Sequence, residues 1–103
     1  MTNPLVDTRG GPDFYKLRLF VTGATSRSVR AIENMRKICE ENLKDRYELE
    51  VVDVYANPEA TRELQIIATP TLVKLLPEPL RKIIGDLSDS ERVLAGLDIT
   101  NVR

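Results

Sequence analysis

The chain has 103 residues, of which 42% are hydrophobic and 30% are charged, and its formal net charge is −1. This length and composition predict one soluble globular domain, and the charge balance gives no electrostatic reason to bind nucleic acid or an anionic membrane. One cysteine and no histidine are present, which excludes an internal disulfide and argues against zinc or histidine-based acid–base catalysis. We therefore expect a cytoplasmic protein without a metal or another cofactor.

The N-terminal segment, residues 1–13, predicts a flexible lead-in rather than a signal peptide. It contains two prolines and two glycines and lacks an apolar run. No apolar segment elsewhere in the sequence is long enough to cross a bilayer. We place a single domain at residues 14–103.

The first half of the domain predicts a βαβ unit. Residues 15–21 alternate apolar and polar side chains until the end of the run, as a strand with one wet face or at a sheet edge does. A helix follows, beginning near Arg27 with Ser26 as its N-cap, because apolar residues then recur at steps of three and four. Residues 47–55 predict a second strand, which should be parallel to the first with a right-handed crossover.

The segment from residue 56 to residue 76 predicts a helix and then a strand. Asn57 is suited to cap a helix, and Pro58 and Glu59 are favourable in its first turn. Residues 72–76 are an apolar run typical of a buried strand, which Pro77 ends.

The last segment gives conflicting local signals. Residues 82–85 could form a short strand, but the apolar residues between Leu80 and Leu87 also have the i, i+3, i+4, i+7 spacing of a helix. Ser88 and Glu91 form a capping box, which predicts a final helix. Residues 56–103 are therefore compatible with more than one arrangement.

The loop at residues 21–28 allows three interpretations. Gly23 and the following helix N-terminus could hold a phosphate, but no glycine-rich phosphate motif is present, which favours a simple turn and cap. A βαβ unit followed by Thr69 and Pro70 ahead of a strand resembles thioredoxin, in which a cis-proline faces the redox loop. Here that loop has no cysteine, so disulfide exchange is excluded there. Ser26 and Ser28 have no general base to activate them.

Two further features have a plain and a functional interpretation. Cys39 lies on the apolar face of the first helix and is interpreted as a small buried hydrophobe rather than a reactive thiol. Basic residues form either a solvated face or a patch for an acidic partner. They are Arg27, Arg30, Arg36 and Lys37 in the first helix and Lys74, Arg81 and Lys82 later.

Seven collinear segments between Tyr15 and Ile99 resemble the KaiB family of bacterial clock proteins. These segments are residues 17–23, 28–31, 52–54, 57–58, 68–72, 81–88 and 93–98. The resemblance implies a metamorphic protein whose two states share the βαβ unit. One state is an α/β, thioredoxin-like βαβαββα fold that binds the N-terminal ATPase ring of a KaiC-type protein. The other is a βαββααβ ground state, in which residues 56–103 rearrange and the chain forms homo-oligomers, as tetramers or dimers.

The resemblance also assigns roles to individual residues. The docking residues are Arg30, Lys74, Arg81 and Lys82. The fold-switch residues are Pro70, Pro77, Pro79, Gly96 and Asp98. The prolines would contribute by slow isomerisation. Replacing Gly96 and Asp98 favours the binding-competent fold in the family. For Gly96 we attribute this effect to backbone conformations that only glycine adopts readily.

Departures from the family pattern concern a second partner. Glu48 and Glu50 lie on the strand that docks KaiA in cyanobacterial members, which argues against KaiA binding, and Gln65 replaces a common lysine. The resemblance implies competition with a KaiB-like sensor domain of a histidine kinase. The resulting hypothesis is a non-enzymatic timer. Its alternatives are a thiol- or glutathione-dependent enzyme using Cys39 and an input module for a two-component kinase.

Overall fold

The computed structural model describes residues 14–99, so the predicted lead-in at residues 1–13 lies outside the described residues. Strands and helices follow one another in the order βαβαββα. The strands are β1 (Tyr15–Val21), β2 (Tyr47–Asp53), β3 (Thr71–Leu76) and β4 (Arg81–Ile84), and the helices are α1 (Ser26–Asn42), α2 (Pro58–Glu63) and α3 (Ser90–Gly96). Within this range, no helix has the length and hydropathy needed to span a membrane.

The strands form one mixed sheet in the order β2-β1-β3-β4. β1 and β2 are parallel, with Tyr15 opposite Tyr47, which confirms the predicted βαβ unit. β3 is antiparallel to β1, and β4 is antiparallel to β3. The chain therefore adopts the thioredoxin-like alternative of the two expected folds.

The core lies on both faces of this sheet. On one face, Leu17 and Leu19 of β1 pack with Met35 of α1 and Leu97 after α3, and all four are fully buried. On the other face, Phe20 forms a smaller cluster that α2 covers. Alternate residues of β1 thus separate two cores, as the period of two along a strand requires.

The ambiguous segment around residues 80–87 is extended. Lys82 pairs with Val73 and Ile83 with Leu72 in the antiparallel β3–β4 ladder. Ile83 also packs against the larger core. The helical spacing was misleading because backbone pairing with β3 determines the conformation here, and local periodicity does not encode it.

Five sequence-predicted elements have boundaries that differ from the structure by one or two residues, including β4, which spans Arg81–Ile84 rather than residues 82–85. Thr25, not Ser26, is the N-cap of α1 and accepts from Ser28 N–H, and Asp89, not Ser88, caps α3. β2 ends at Asp53 rather than residue 55, because an Asp53 side-chain oxygen accepts from Tyr55 N–H at 2.8 Å and starts a turn. β3 begins one residue before the predicted strand. Each difference follows from side-chain hydrogen bonds or pairing that short polar runs leave undetermined.

Candidate functional site

The loop between β1 and α1 faces the loop before β3, where the Thr69–Pro70 peptide bond is cis. The hydroxyl oxygens of Thr22 and Thr69 lie 2.5 Å apart and join the two loops. Ser28 is buried, and its Oγ accepts from Thr22 N–H at 3.2 Å and from the Thr25 hydroxyl at 2.9 Å. Hydroxyls that satisfy one another therefore occupy the corner where thioredoxins carry thiols, and they rigidify the junction instead of offering a nucleophile.

Cys39 is the chain's one cysteine and lies on the inner face of α1. It is fully buried beside Met35 and Ile38 in the larger core. Burial, with a smaller contribution from the nearby Glu40 carboxylate, raises the pKa of the Cys39 thiol to about 12. The thiolate form that would act as a nucleophile is therefore disfavoured, as the sequence interpretation expected.

We expect Cys39 in the folded protein to react with a disulfide reagent far more slowly than the same cysteine in denaturant, by at least about a hundredfold. The reason is the combination of complete burial and a raised pKa. Time courses of thiol labelling at neutral pH, with and without denaturant, measure the ratio. Equal rates would contradict the buried placement.

Arg30 lies on the exposed side of α1 and connects that helix to the turn after β4. Its guanidinium Nε lies 3.5 Å from a carboxylate oxygen of Asp86, and Asn34 donates to the Asp86 carbonyl at 2.8 Å. Hydrogen bonds from Ser88, with a further contribution from Arg30, lower the pKa of Asp86. Arg30 thus anchors the turn while about half of its side chain stays exposed.

Lys74 is in the core rather than on the surface. Its side chain is 1% exposed, and its Nζ lies 4.0 Å from an Asp98 carboxylate oxygen. Arg81, on the neighbouring strand, places its Nε 2.8 Å from the same carboxylate. Desolvation lowers the pKa of Lys74, the Asp98 charge opposes this shift, and Arg81 adds to it. In this fold Lys74 therefore ties the sheet to the end of α3 through Asp98.

Lys82 lies on the opposite face of the sheet from Lys74. Its Nζ donates to the Gln65 carbonyl after α2 at 3.3 Å. An open groove of about 820 Å³ lies beside it, lined by Val54, Tyr55, Pro58, Thr61, Arg62, Gln65, Ile66, Ile67 and Lys82. Of the four predicted docking residues, Lys82 alone lines this groove.

Sequence reasoning missed the two apolar residues at the mouth of the groove. Tyr55 is 79% exposed and Ile67 is 89% exposed. Ile66 packs on the smaller core, whereas its neighbour Ile67 is exposed. The sequence did contain a signal for this exposed residue. Ile66 and Ile67 are adjacent in a short connection before β3, and two adjacent side chains there cannot both face the same core.

Gly96 lies within α3 and has no left-handed backbone angle, so the explanation from glycine-only conformations is wrong for this fold. What distinguishes the position is space, because a Cβ at residue 96 would lie 2.8 Å from Ile83 Cδ1. Asp98 does have a left-handed φ of 57°. The bonds preceding Pro70, Pro77 and Pro79, the other residues assigned to the switch, are all cis in this fold.

We expect Gly96→Ala and Ile83→Val to be coupled. Alanine favours the helix by about 0.5–1 kcal/mol, but its Cβ forces Ile83 to move. Ile83→Val removes the Cδ1 atom and normally costs about 0.5–1.5 kcal/mol. The double variant should therefore be more stable than the sum of the single effects by at least about 0.5 kcal/mol in denaturant unfolding. Strict additivity would show that the two positions do not contact.

Within residues 14–99, no group of three or more histidine, cysteine, aspartate or glutamate side chains is arranged to hold a metal ion. The features that could act chemically are thus the hydroxyl corner, the buried thiol and the charged groove. None of them combines a nucleophile with a general base.

Solved structures with the same architecture define the class of protein. The N-terminal domain of Synechococcus elongatus SasA has a TM-score of 0.68 at 22% identity, covering 87% of this chain and 89% of that chain. Chloroplastic thioredoxin z has a TM-score of 0.67 at 18% identity, covering 85% of this chain and 81% of that chain. The chain is a thioredoxin-like α/β protein.

Sequence similarity then identifies the family within this class. The KaiB domain model matches residues 18–99. The circadian clock oscillator protein KaiB of Microcystis aeruginosa is 54% identical over 85 residues, which is 82% of each chain. The circadian clock protein KaiB3 of Synechocystis is 52% identical over 83 residues, 81% of each chain. The chain belongs to the KaiB family.

Proposed function

We propose that this chain is a non-enzymatic clock or timer regulator that binds the N-terminal ATPase ring of a KaiC-type protein and modulates its phosphorylation cycle. The observation that carries the proposal is KaiB family membership across residues 18–99. The site chemistry supports it, because the redox corner holds hydroxyls and the one thiol is buried. A cytoplasmic location follows from the same proposal.

The groove beside α2 is the surface we assign to the partner. Tyr55 and Ile67 offer exposed apolar area, and Arg62 and Lys82 place two cations at its rim. Such a combination fits an apolar protrusion surrounded by carboxylates. Arg30 and Arg81 lie outside the groove and would contribute at its periphery or through the fold.

The thioredoxin-like state is the one we assign to partner binding, and a βαββααβ homo-oligomer is the alternative ground state. A partner that binds one state alone shifts the population between two states separated by a few kcal/mol. Asp98 forms ion pairs in the present fold. Its replacement can therefore favour this fold only by costing the other state more.

The proposal also concerns two other clock proteins: it includes competition with a kinase sensor domain and excludes KaiA as a partner. Likeness to the SasA domain supports competition between this chain and a KaiB-like sensor domain of a histidine kinase for one docking site. Glu48 and Glu50 are exposed on the edge strand β2. Two acids there argue against a KaiA interaction and favour a timer without KaiA.

Size-exclusion chromatography with a KaiC-type ATPase and ATP tests the proposal. We expect co-elution with the ATPase ring, increased by the Gly96→Ala/Asp98→Arg variant if it favours the binding state. If neither the wild type nor the Gly96→Ala/Asp98→Arg variant forms a complex with the ATPase, the proposed function is contradicted.

The rival function is a thiol-dependent enzyme, and no contact among residues 14–99 supports it because Cys39 is buried. A disulfide-reduction assay separates the two hypotheses. We expect the wild type and a Cys39→Ser variant to show the same background rate. Activity that disappears with Cys39→Ser would favour the enzyme.

A further inference from the structure

The sheet has two edge strands, β2 and β4, that run in the same direction. β2 is parallel to β1, whereas β3 is antiparallel to both β1 and β4. Within residues 14–99, no further strand pairs with the outer side of β2 or β4. Each edge therefore presents backbone groups that can accept an added strand.

The two edges carry opposite charges. Glu48 and Glu50 are exposed on β2, and Arg81 and Lys82 are exposed on β4. Like charges disfavour the pairing of either strand with the same strand of another copy. Opposite charges favour β2 of one copy beside β4 of another.

Glu50 and Lys82 lie on the same face of the sheet, whereas Arg81 lies on the other face with Lys74 and is paired with Asp98. Arg18 Nε is 3.1 Å from Glu50 Oε1, and Phe20, two residues further along β1, belongs to the core cluster under α2. Lys82 donates to the carbonyl of Gln65, directly after α2. Glu50 and Lys82 would therefore meet on the α2 face if the sheet continued from one copy into the next.

One register matches charge and apolar surface together. When Lys82 lies opposite Glu50 in parallel pairing, Ile84 lies opposite Val52 on the same face. Ile84 is 52% exposed in the single chain. The contact would cover this isoleucine and add a charge pair beside it.

We propose that the thioredoxin-like form of this chain self-associates head to tail, with β4 of one copy pairing in parallel with β2 of a second copy. The contact uses a different patch on each copy, so it leaves free ends and produces chains that lengthen with concentration. β4 has four residues, which makes each contact small and weak. Because Lys82 also lines the groove, self-association and occupation of the groove by a partner would compete.

Sedimentation velocity over a concentration series tests the inference with this protein alone. The wild-type mass should rise from the 11.6 kDa of one chain beyond that of two chains at the highest soluble concentration. Salt at 1 M should reverse the rise, since the screening length is then about 3 Å. Lys82→Glu and Glu50→Lys should each remain monomeric. Lys37→Glu, which reverses an exposed charge on α1, is the matched control and should associate like the wild type.

A mixture of the two edge variants provides the decisive measurement. Each reversed strand then meets a strand of opposite charge on the other variant, so association should return. Circular dichroism checks that every variant is folded. A wild type that stays monomeric throughout overturns the inference. Edge variants that associate like the wild type, or one discrete tetramer formed equally by all four proteins, also overturn it because another surface is then in use.

Discussion

Ile67→Ser is expected to weaken binding to a KaiC-type ATPase by about 2 kcal/mol, or about 30-fold in Kd, while leaving the fold intact. Ile67 is 89% exposed in the free chain, so its replacement should change the free energy of unfolding by less than about 0.5 kcal/mol. At a docked surface the same side chain would lose its water and fill an apolar site on the partner. Titration calorimetry with the ATPase ring in ATP measures the change in Kd.

The matched control is Val29→Ser. Val29 is also an exposed apolar residue, at 41% exposure, but it lies on α1, across the sheet from the groove. It should bind the ATPase like the wild type. Equal losses for both variants would mean a general effect on the fold or on solubility, and an unchanged Kd for Ile67→Ser would remove the groove from the docking surface.

Asp98→Asn is expected to lower the free energy of unfolding by about 1–2 kcal/mol. Asparagine tolerates the left-handed backbone angle of 57° at this position, so the loss reports on charge and not on strain. It leaves Lys74, which is 1% exposed, without the carboxylate 4.0 Å away. Because about half of the Asp98 side chain is exposed, the expected loss of stability is smaller than for a fully buried ion pair.

Lys74→Met should cost less than about 1 kcal/mol, because it removes the buried charge together with its desolvation penalty. The double variant Lys74→Met/Asp98→Asn should then be more stable than the two single effects predict, by about 1 kcal/mol. Urea unfolding of the four proteins completes the cycle. Additive losses would show that Lys74 and Asp98 do not interact.

The lowered pKa of Lys74 predicts how the stability of the folded protein changes with pH. Burial lowers the pKa of Lys74 below its usual 10.5, so protonated Lys74 costs the folded state more than the unfolded state. This cost is present below the folded pKa and disappears as the pH rises toward 10.5. The stability of the wild type relative to Lys74→Met should therefore increase on the alkaline side, and a constant difference would contradict the lowered pKa.

Much of the first half of the fold could be predicted from the sequence. The alternation in β1, the helical spacing that includes Met35, and the second strand define a βαβ unit through short-range periodicity. The single cysteine at position 39, flanked by helix-spaced apolar residues, was enough to predict a buried thiol. The missing cysteines at residues 22–28 were enough to exclude disulfide exchange at the corner.

The second half was decided by tertiary contacts. Residues 81–84 carry both a strand-like and a helix-like pattern, and pairing with β3 makes them extended. The apolar periodicity could not distinguish helix from strand here, because it depends on which residues are apolar and not on which backbone groups form hydrogen bonds. Two near-equal local preferences are also what a chain with two accessible folds would contain.

The character of the candidate site also depended on the assembled sheet. Sequence alone determined that Lys74 and Lys82 are basic residues near a proline-rich turn, but the sheet buries Lys74 beside Asp98 and leaves Lys82 beside the groove. Burial is set by neighbours that are distant in sequence, and so is the exposure of Ile67. The sequence by itself determined a thioredoxin-like beginning without its thiols; only the tertiary structure decided which charged and apolar side chains remain free for a partner, because that depends on which face of the sheet each residue takes.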